Sequence, residues 1–60
     1  MTSEYEIEGM AEKIQALKQT ATELKRISGE IPAVVRNTDR ILASIKMLEI
    51  NVSDILDTVH

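Results

Sequence analysis

Apolar residues recur at alternating steps of three and four along this chain, on both sides of a short polar segment at residues 28–32. The first run comprises Ile7, Met10, Ile14, Leu17, Ala21 and Leu24, and the second comprises Val34, Thr38, Ile41, Ile45, Leu48, Val52, Ile55 and Val59. Such spacing places the side chains along one stripe of an α-helix. The sequence therefore predicts an all-α fold, a two-helix antiparallel hairpin with coiled-coil-like packing.

Residue types at the predicted helix ends support this division. Ser3 and Glu6 have the spacing of a capping box, so we expect the first helix to begin near residue 4. Gly29 is expected to end that helix in the left-handed conformation, and Pro32 suits the first turn of the next helix. A single domain at residues 1–60 is predicted, with helices at about 4–28 and 32–59 and a turn at 29–31.

The rival interpretation is one long helix kinked at the breaker. With Ile7 at heptad position a, that register would continue through the second half and bury Glu49. A better seam in the second half places Thr38 and Ile45 at position a. Because the register shifts across residues 28–32, a hairpin is favoured over a kinked rod.

The small size of the chain predicts self-association. Sixty residues with no cysteine and one histidine cannot rely on disulfides or a structural zinc site, and a small core alone supplies little net stability. The stripe of the second helix is also wider than a two-stranded seam needs. We predict a homodimer forming a four-helix bundle through a seam of Ile7, Met10, Ile14, Leu17, Leu24, Val34, Ile41, Ile45, Leu48, Val52 and Ile55.

Charge is segregated along the chain, whose net charge is −3. Residues 1–12 and 47–60 carry acids without bases, and residues 13–46 hold every lysine and arginine. A folded hairpin would therefore have two acidic ends together and a basic turn. We expect antiparallel pairing of hairpins, with the basic turn of one beside the acidic ends of the other.

Two further surfaces are candidates for contacts. Ala43, Met47 and Ile50 lie at helical spacing opposite the seam and form a candidate second contact surface, with ordinary surface scatter as the simpler interpretation. A candidate basic contact region comprises Lys25, Arg26, Arg36 and Arg40. An isoelectric point of about 4.9 argues against nucleic acid, which usually requires a concentrated basic face.

Signatures of catalysis and of cofactor binding are missing from the sequence. The acid pairs Glu8–Glu12 and Asp54–Asp57 lack the histidine of a carboxylate-bridged metal site, and His60 is a terminal residue. No nucleophile accompanies a base, and no glycine-rich phosphate loop occurs. We therefore expect no enzyme activity, no cofactor and no metal.

Targeting signals are also missing. No stretch approaches the roughly 18 apolar residues of a membrane span, and the acidic N-terminal segment does not resemble a secretory signal. The expected location is the cytoplasm.

The sequence predicts a non-catalytic protein–protein interaction module, such as a small oligomerisation, adaptor or chaperone-like hairpin. One alternative is a small RNA- or DNA-binding regulator that uses the basic turn. Another is a subunit that folds together with the helices of a different protein.

Overall fold

Within the part of the chain that the structure describes, the fold consists of two helices, α1 (Ile7–Ile27) and α2 (Pro32–Val59). The computed structural model describes residues 6–59, and the side chains of residues 6–56. A short turn at residues 28–30 joins the helices, which pack against each other over their lengths. The predicted hairpin is confirmed, and the single kinked helix is excluded.

Helix α1 begins at Ile7, and the expected start near residue 4 lies outside the described residues. Glu6 is the N-cap residue: its backbone is extended, with φ −115° and ψ 103°, and its carbonyl accepts a hydrogen bond from the Met10 N–H at 2.9 Å. The Glu6 side chain makes no capping hydrogen bond. The capping residue that the sequence suggested, Ser3, lies outside the described residues.

Ser28, not Gly29, ends α1. The Ser28 N–H donates to the Leu24 carbonyl at 3.1 Å, and its hydroxyl donates to the same oxygen at 2.5 Å. No glycine in residues 6–59 has a positive φ, so the prediction of a left-handed Gly29 was wrong. The Leu24 carbonyl thus accepts two hydrogen bonds from Ser28. The helix ends in this way without the left-handed residue that many helices place after their last turn.

The turn leads directly into α2. The Ile31 N–H donates to the Ser28 carbonyl at 2.9 Å, which closes the turn, and α2 begins at Pro32. A proline at the first helical position lacks only an N–H that has no partner within the helix. The Val35 N–H then donates to the Ile31 carbonyl at 3.1 Å, the first bond of the helical ladder.

The core lies in one layer between the helices. Ile14 and Ala21 of α1 and Ile45 of α2 are its buried apolar residues, with Leu42 and Val52 partly buried against them. Ser28 and Thr38 are buried near the turn, and Thr38 is only 1% exposed. We call six of the residues at heptad position a the contact row: Ile14, Ala21, Ser28, Thr38, Ile45 and Val52.

The register of the hairpin follows from its ion pairs. Lys18 pairs with Glu49 and Lys25 pairs with Asp39, so residue numbers rise along α1 as they fall along α2. The same register places Ala21 level with Ile45 in the middle of the contact row.

Candidate functional site

The predicted seam divides into two rows with different surroundings. Residues of the contact row face the other helix and are buried or half-buried. Four residues at heptad position d remain exposed: Leu17 at 51%, Leu24 at 40%, Ile41 at 47% and Leu48 at 41%. The rest of the predicted seam, Ile7, Met10, Val34 and Ile55, is half-buried. The hairpin thus buries the contact row and leaves the middle of the d row exposed; we call Leu17, Leu24, Ile41 and Leu48 the open row.

On α1 the open row lies to one side of the contact row. Successive residues of an α-helix are rotated by about 100°, so Leu17 and Leu24 lie about 60° to 80° from the line of Ile14 in one direction. Lys18 and Lys25 lie about 20° to 40° from that line in the other direction. One edge of α1 is therefore apolar and the other is cationic.

The open row of α2 lies on the same side of the hairpin. Ile41 and Leu48 are rotated from Ile45 in the same sense as Leu17 and Leu24 are from Ile14. Because antiparallel helices wind in opposite senses when viewed from one end, equal rotations bring the two rows to one side. The ion pairs lie at the other edge of both helices, as this geometry requires. The hairpin therefore has one apolar face, and an opposite face, called the polar face below, on which the ion pairs lie beside Leu42 and Leu56 of α2.

Ile27 extends the apolar face toward the turn. It is the most exposed of the large hydrophobic residues described, at 65%. A shallow groove of about 420 Å³ runs along this part of α1 and is lined by Gln19, Thr20, Glu23, Leu24 and Ile27. We define the apolar face by Leu17, Leu24, Ile27, Ile41 and Leu48.

The polar face is held by contacts between the helices. The Glu49 carboxylate accepts hydrogen bonds from the Gln15 amide at 3.1 Å and from the Lys18 ammonium at 3.4 Å. Lys25 pairs with Asp39 at 2.7 Å. Such exposed pairs contribute below about 1 kcal/mol each, so they set the register of the hairpin more than its stability.

The candidate basic contact region is not gathered on one surface. Lys25 pairs with Asp39 across the hairpin, and Arg26 pairs with Glu23 on its own helix. Arg36 and Arg40 lie on the side of α2 that points away from α1, and within residues 6–56 neither has an ion partner. This arrangement does not form the continuous basic stripe that phosphate backbones favour.

The candidate second contact surface is open to solvent. Ala43, Met47 and Ile50 are exposed on the side of α2 opposite Ile45, with Met47 at 57%. We call these three residues the outer patch. The body of α2 separates it from the apolar face, so each surface can be altered without touching the other.

Within residues 6–56, no cluster of three or more His, Asp or Glu side chains could hold a metal ion together. Glu8 and Glu12 are both exposed, and the side chains of Asp57 and His60 lie outside the described part. Neither described helix is apolar over a length that would cross a membrane.

Sequence reasoning placed the contact row and the open row in one seam and overlooked two features of this surface. The first is Ile27, which the heptad pattern leaves at a flanking position. The second is a row of uncharged polar residues on α2, Asn37, Ser44 and Asn51, which border the apolar face. The seven-residue spacing of Asn37, Ser44 and Asn51 could have shown from sequence that they share one side of α2.

The hairpin leaves an apolar face exposed, a kind of surface that helical protein-interaction modules use. The family model for the C-terminal part of programmed cell death protein 10 matches residues 1–60, which is the whole chain. The chain therefore belongs to that family. No curated protein and no solved structure is similar enough to count as a match.

Proposed function

We propose that this chain is a non-catalytic oligomerisation module in which two hairpins bury their apolar faces against each other as a four-helix bundle. The bundle would act as a small adaptor that presents its remaining surfaces to other proteins. The observation that carries the proposal is the alignment of Leu17, Leu24, Ile41 and Leu48, all at least 40% exposed, on one side of the hairpin.

The small core supports this proposal. Three buried apolar residues, Ile14, Ala21 and Ile45, line the contact between the helices. Burying a large aliphatic side chain fully stabilises a fold by about 1.5–3 kcal/mol, whereas ordering each residue costs roughly 1.5 kcal/mol. A second layer of apolar contacts is the available supplement in a chain with no cysteine.

Charge supports an antiparallel arrangement of the two hairpins. The turn end carries Arg36 and Arg40 on α2, which have no ion partner within residues 6–56, and the opposite end carries the exposed Glu8 and Glu12 on α1. Placing the turn of one hairpin beside the open end of the other brings unlike charges together. Charge would then select the orientation, and burial of the apolar face would supply the affinity.

The test is sedimentation equilibrium of three chains: the wild type, Leu48→Asp and Met47→Asp. The two substitutions are neighbours in sequence, but Leu48 lies on the apolar face and Met47 on the outer patch. We expect dimers for the wild type and Met47→Asp. We expect Leu48→Asp to be monomeric, because dimerisation would bury an unpaired carboxylate.

Two results would contradict the proposal. A wild type that is monomeric yet helical by circular dichroism would assign the apolar face to the helices of a different protein. An unchanged mass for Leu48→Asp, together with dissociation of Met47→Asp, would move the interface to the outer patch.

A further inference from the structure

Asn37, Ser44 and Asn51 form an uncharged row along the open side of α2. They lie about 40° to 60° further around the helix from the contact row than Ile41 and Leu48 do. All three are exposed, and no charged residue of α2 falls in the sector between this row and the contact row. The side chains of this sector point away from the polar face, toward whatever covers the apolar face.

The spacing of this row is symmetric about Ser44. Asn37 precedes Ser44 by the same number of residues by which Asn51 follows it. Ile41 and Leu48 are also nearly equidistant from Ser44, on either side. In an antiparallel pair of identical helices, residues equally far from the two-fold axis face each other. An axis at Ser44 would therefore match amide with amide and aliphatic with aliphatic.

We propose that α2 packs antiparallel against α2 of a second copy, with the two-fold axis passing beside Ser44. This inference rests on the proposed self-association and adds to it the helix pairing, the register and the axis. Asn37 of each copy faces Asn51 of the other, and Ser44 faces Ser44. The small side chain at the axis lets the two helices approach closely.

The residues of helix α1 are arranged symmetrically about the same level. The hairpin register that pairs Ala21 with Ile45 places Thr22 level with Ser44. On the open side of α1, Thr20 and Leu24 are equally far from Thr22, and so are Leu17 and Ile27. An axis at this level brings Leu17 of one copy to Ile27 of the other. It thus covers Ile27, the most exposed large hydrophobic residue described.

Unlike charges meet at the ends of this arrangement. Lys13 lies on the open side of α1 near its start, and Glu30 lies in the turn, at a similar distance from Thr22 in the other direction. Both are exposed, and neither has an ion partner within residues 6–56. The two-fold axis places Lys13 of each copy beside Glu30 of the other, at both ends of the interface.

The uncharged row has a physical reason in this register. A charged residue at Ser44 would meet its own copy across the axis, and like charges in contact are destabilising. Buried amides need partners, which the facing amide supplies in one register only. Polar residues of this kind fix register in coiled coils at some cost in stability.

Single-cysteine variants test the axis, since the chain has no cysteine of its own. Helix axes that pack at about 8–10 Å place facing Cα atoms about 4–5 Å apart, close enough for a disulfide. Under mild oxidation we expect Ser44→Cys to form a covalent dimer. Ala43→Cys is the matched control, because residue 43 is at the same level but on the outer patch, and we expect it to stay reduced.

A mixture of two further variants tests the register. Asn37→Cys and Asn51→Cys should each stay uncoupled alone, because their own copies lie far from the axis. Mixed together, they should form a heterodimer, which a mass difference between tagged chains would show. Asn37→Cys coupling to itself would mean parallel helices and would overturn the proposal.

Sedimentation separates this inference from the proposed function. If Ser44→Cys is a dimer by mass but does not cross-link, self-association holds and the axis at Ser44 is wrong. If every variant and the wild type are monomers, the proposed function itself fails. A Ser44→Cys variant that loses helicity is replaced as the test by the Asn37→Cys and Asn51→Cys mixture.

Discussion

The Lys18 ammonium lies 3.4 Å from the Glu49 carboxylate, on the polar side of the contact between the two helices. The residues just before them, Leu17 and Leu48, are exposed on the opposite side of the hairpin. On each helix, two consecutive residues therefore lie on opposite faces of the hairpin. The two-faced character of this hairpin depends on that register.

The contribution of this ion pair should be small. We expect the coupling between Lys18→Ala and Glu49→Ala in a double-mutant cycle to be below about 1 kcal/mol, because the lysine side chain is half exposed at 50%. Urea unfolding followed by circular dichroism, at one fixed protein concentration, measures it. A coupling of several kcal/mol would show that the polar face supplies stability as well as register.

Truncation in the core should be costly. Ile45→Ala is expected to destabilise the fold by about 2–5 kcal/mol, since Ile45 is only 3% exposed and its removal leaves a cavity beside Ile14 and Ala21. Ile50→Ala, on the outer patch, is the matched control and should change stability by less than about 0.5 kcal/mol. Equal effects of the two substitutions in urea unfolding would contradict the assignment of the core.

The end of α1 should tolerate alanine at residue 29 and not at residue 28. Gly29→Ala should keep or slightly raise stability, because its φ is not positive and an added Cβ would lie 3.8 Å from the Arg26 carbonyl oxygen. Ser28→Ala should cost about 1 kcal/mol through loss of the hydrogen bond to the Leu24 carbonyl. A lower thermal midpoint for Gly29→Ala than for Ser28→Ala would show that Gly29 ends the helix in the left-handed conformation.

The first turns of α1 should be open to improvement. Gly9→Ala is expected to stabilise the chain by up to about 1 kcal/mol, because glycine is a poor helix former. The added Cβ would meet the Glu6 carboxylate oxygen at 3.2 Å, and this exposed side chain can move aside. Far-ultraviolet circular dichroism at rising temperature checks the result, and a lower midpoint would mean that the Glu6 contact is rigid.

Salt should weaken the association if charge orients the two hairpins. We expect the dissociation constant from sedimentation to rise between low and moderate ionic strength, because screening acts over about 10 Å at 0.1 M salt. Lys13→Gln should reduce this dependence, and Lys46→Gln, a lysine outside the apolar face, should reduce it less. A dissociation constant that does not change with salt would show that charge does not orient the two hairpins.

The two helices, the break between them and the hairpin can all be predicted from the order of residues. Aliphatic residues at steps of three and four define a stripe wherever the helix is placed, and Pro32 limits where a helix can begin, so these features are local. The end of α1 was predicted less well. Several residues near a helix end can satisfy the same carbonyls, and here Ser28 does so in place of Gly29.

Which apolar residues of the stripe face the second helix depends on the packing of the two helices. From sequence, Leu17 and Ile14 belong to one seam, and nothing in the heptad pattern tells which of them faces the second helix. The rotation of each helix about its own axis depends on the joint packing of Ile14, Ala21 and Ile45 and on the contacts of Glu49 with Gln15 and Lys18. These contacts join residues far apart in sequence, and they turn Leu17, Leu24, Ile41 and Leu48 outward as an apolar face.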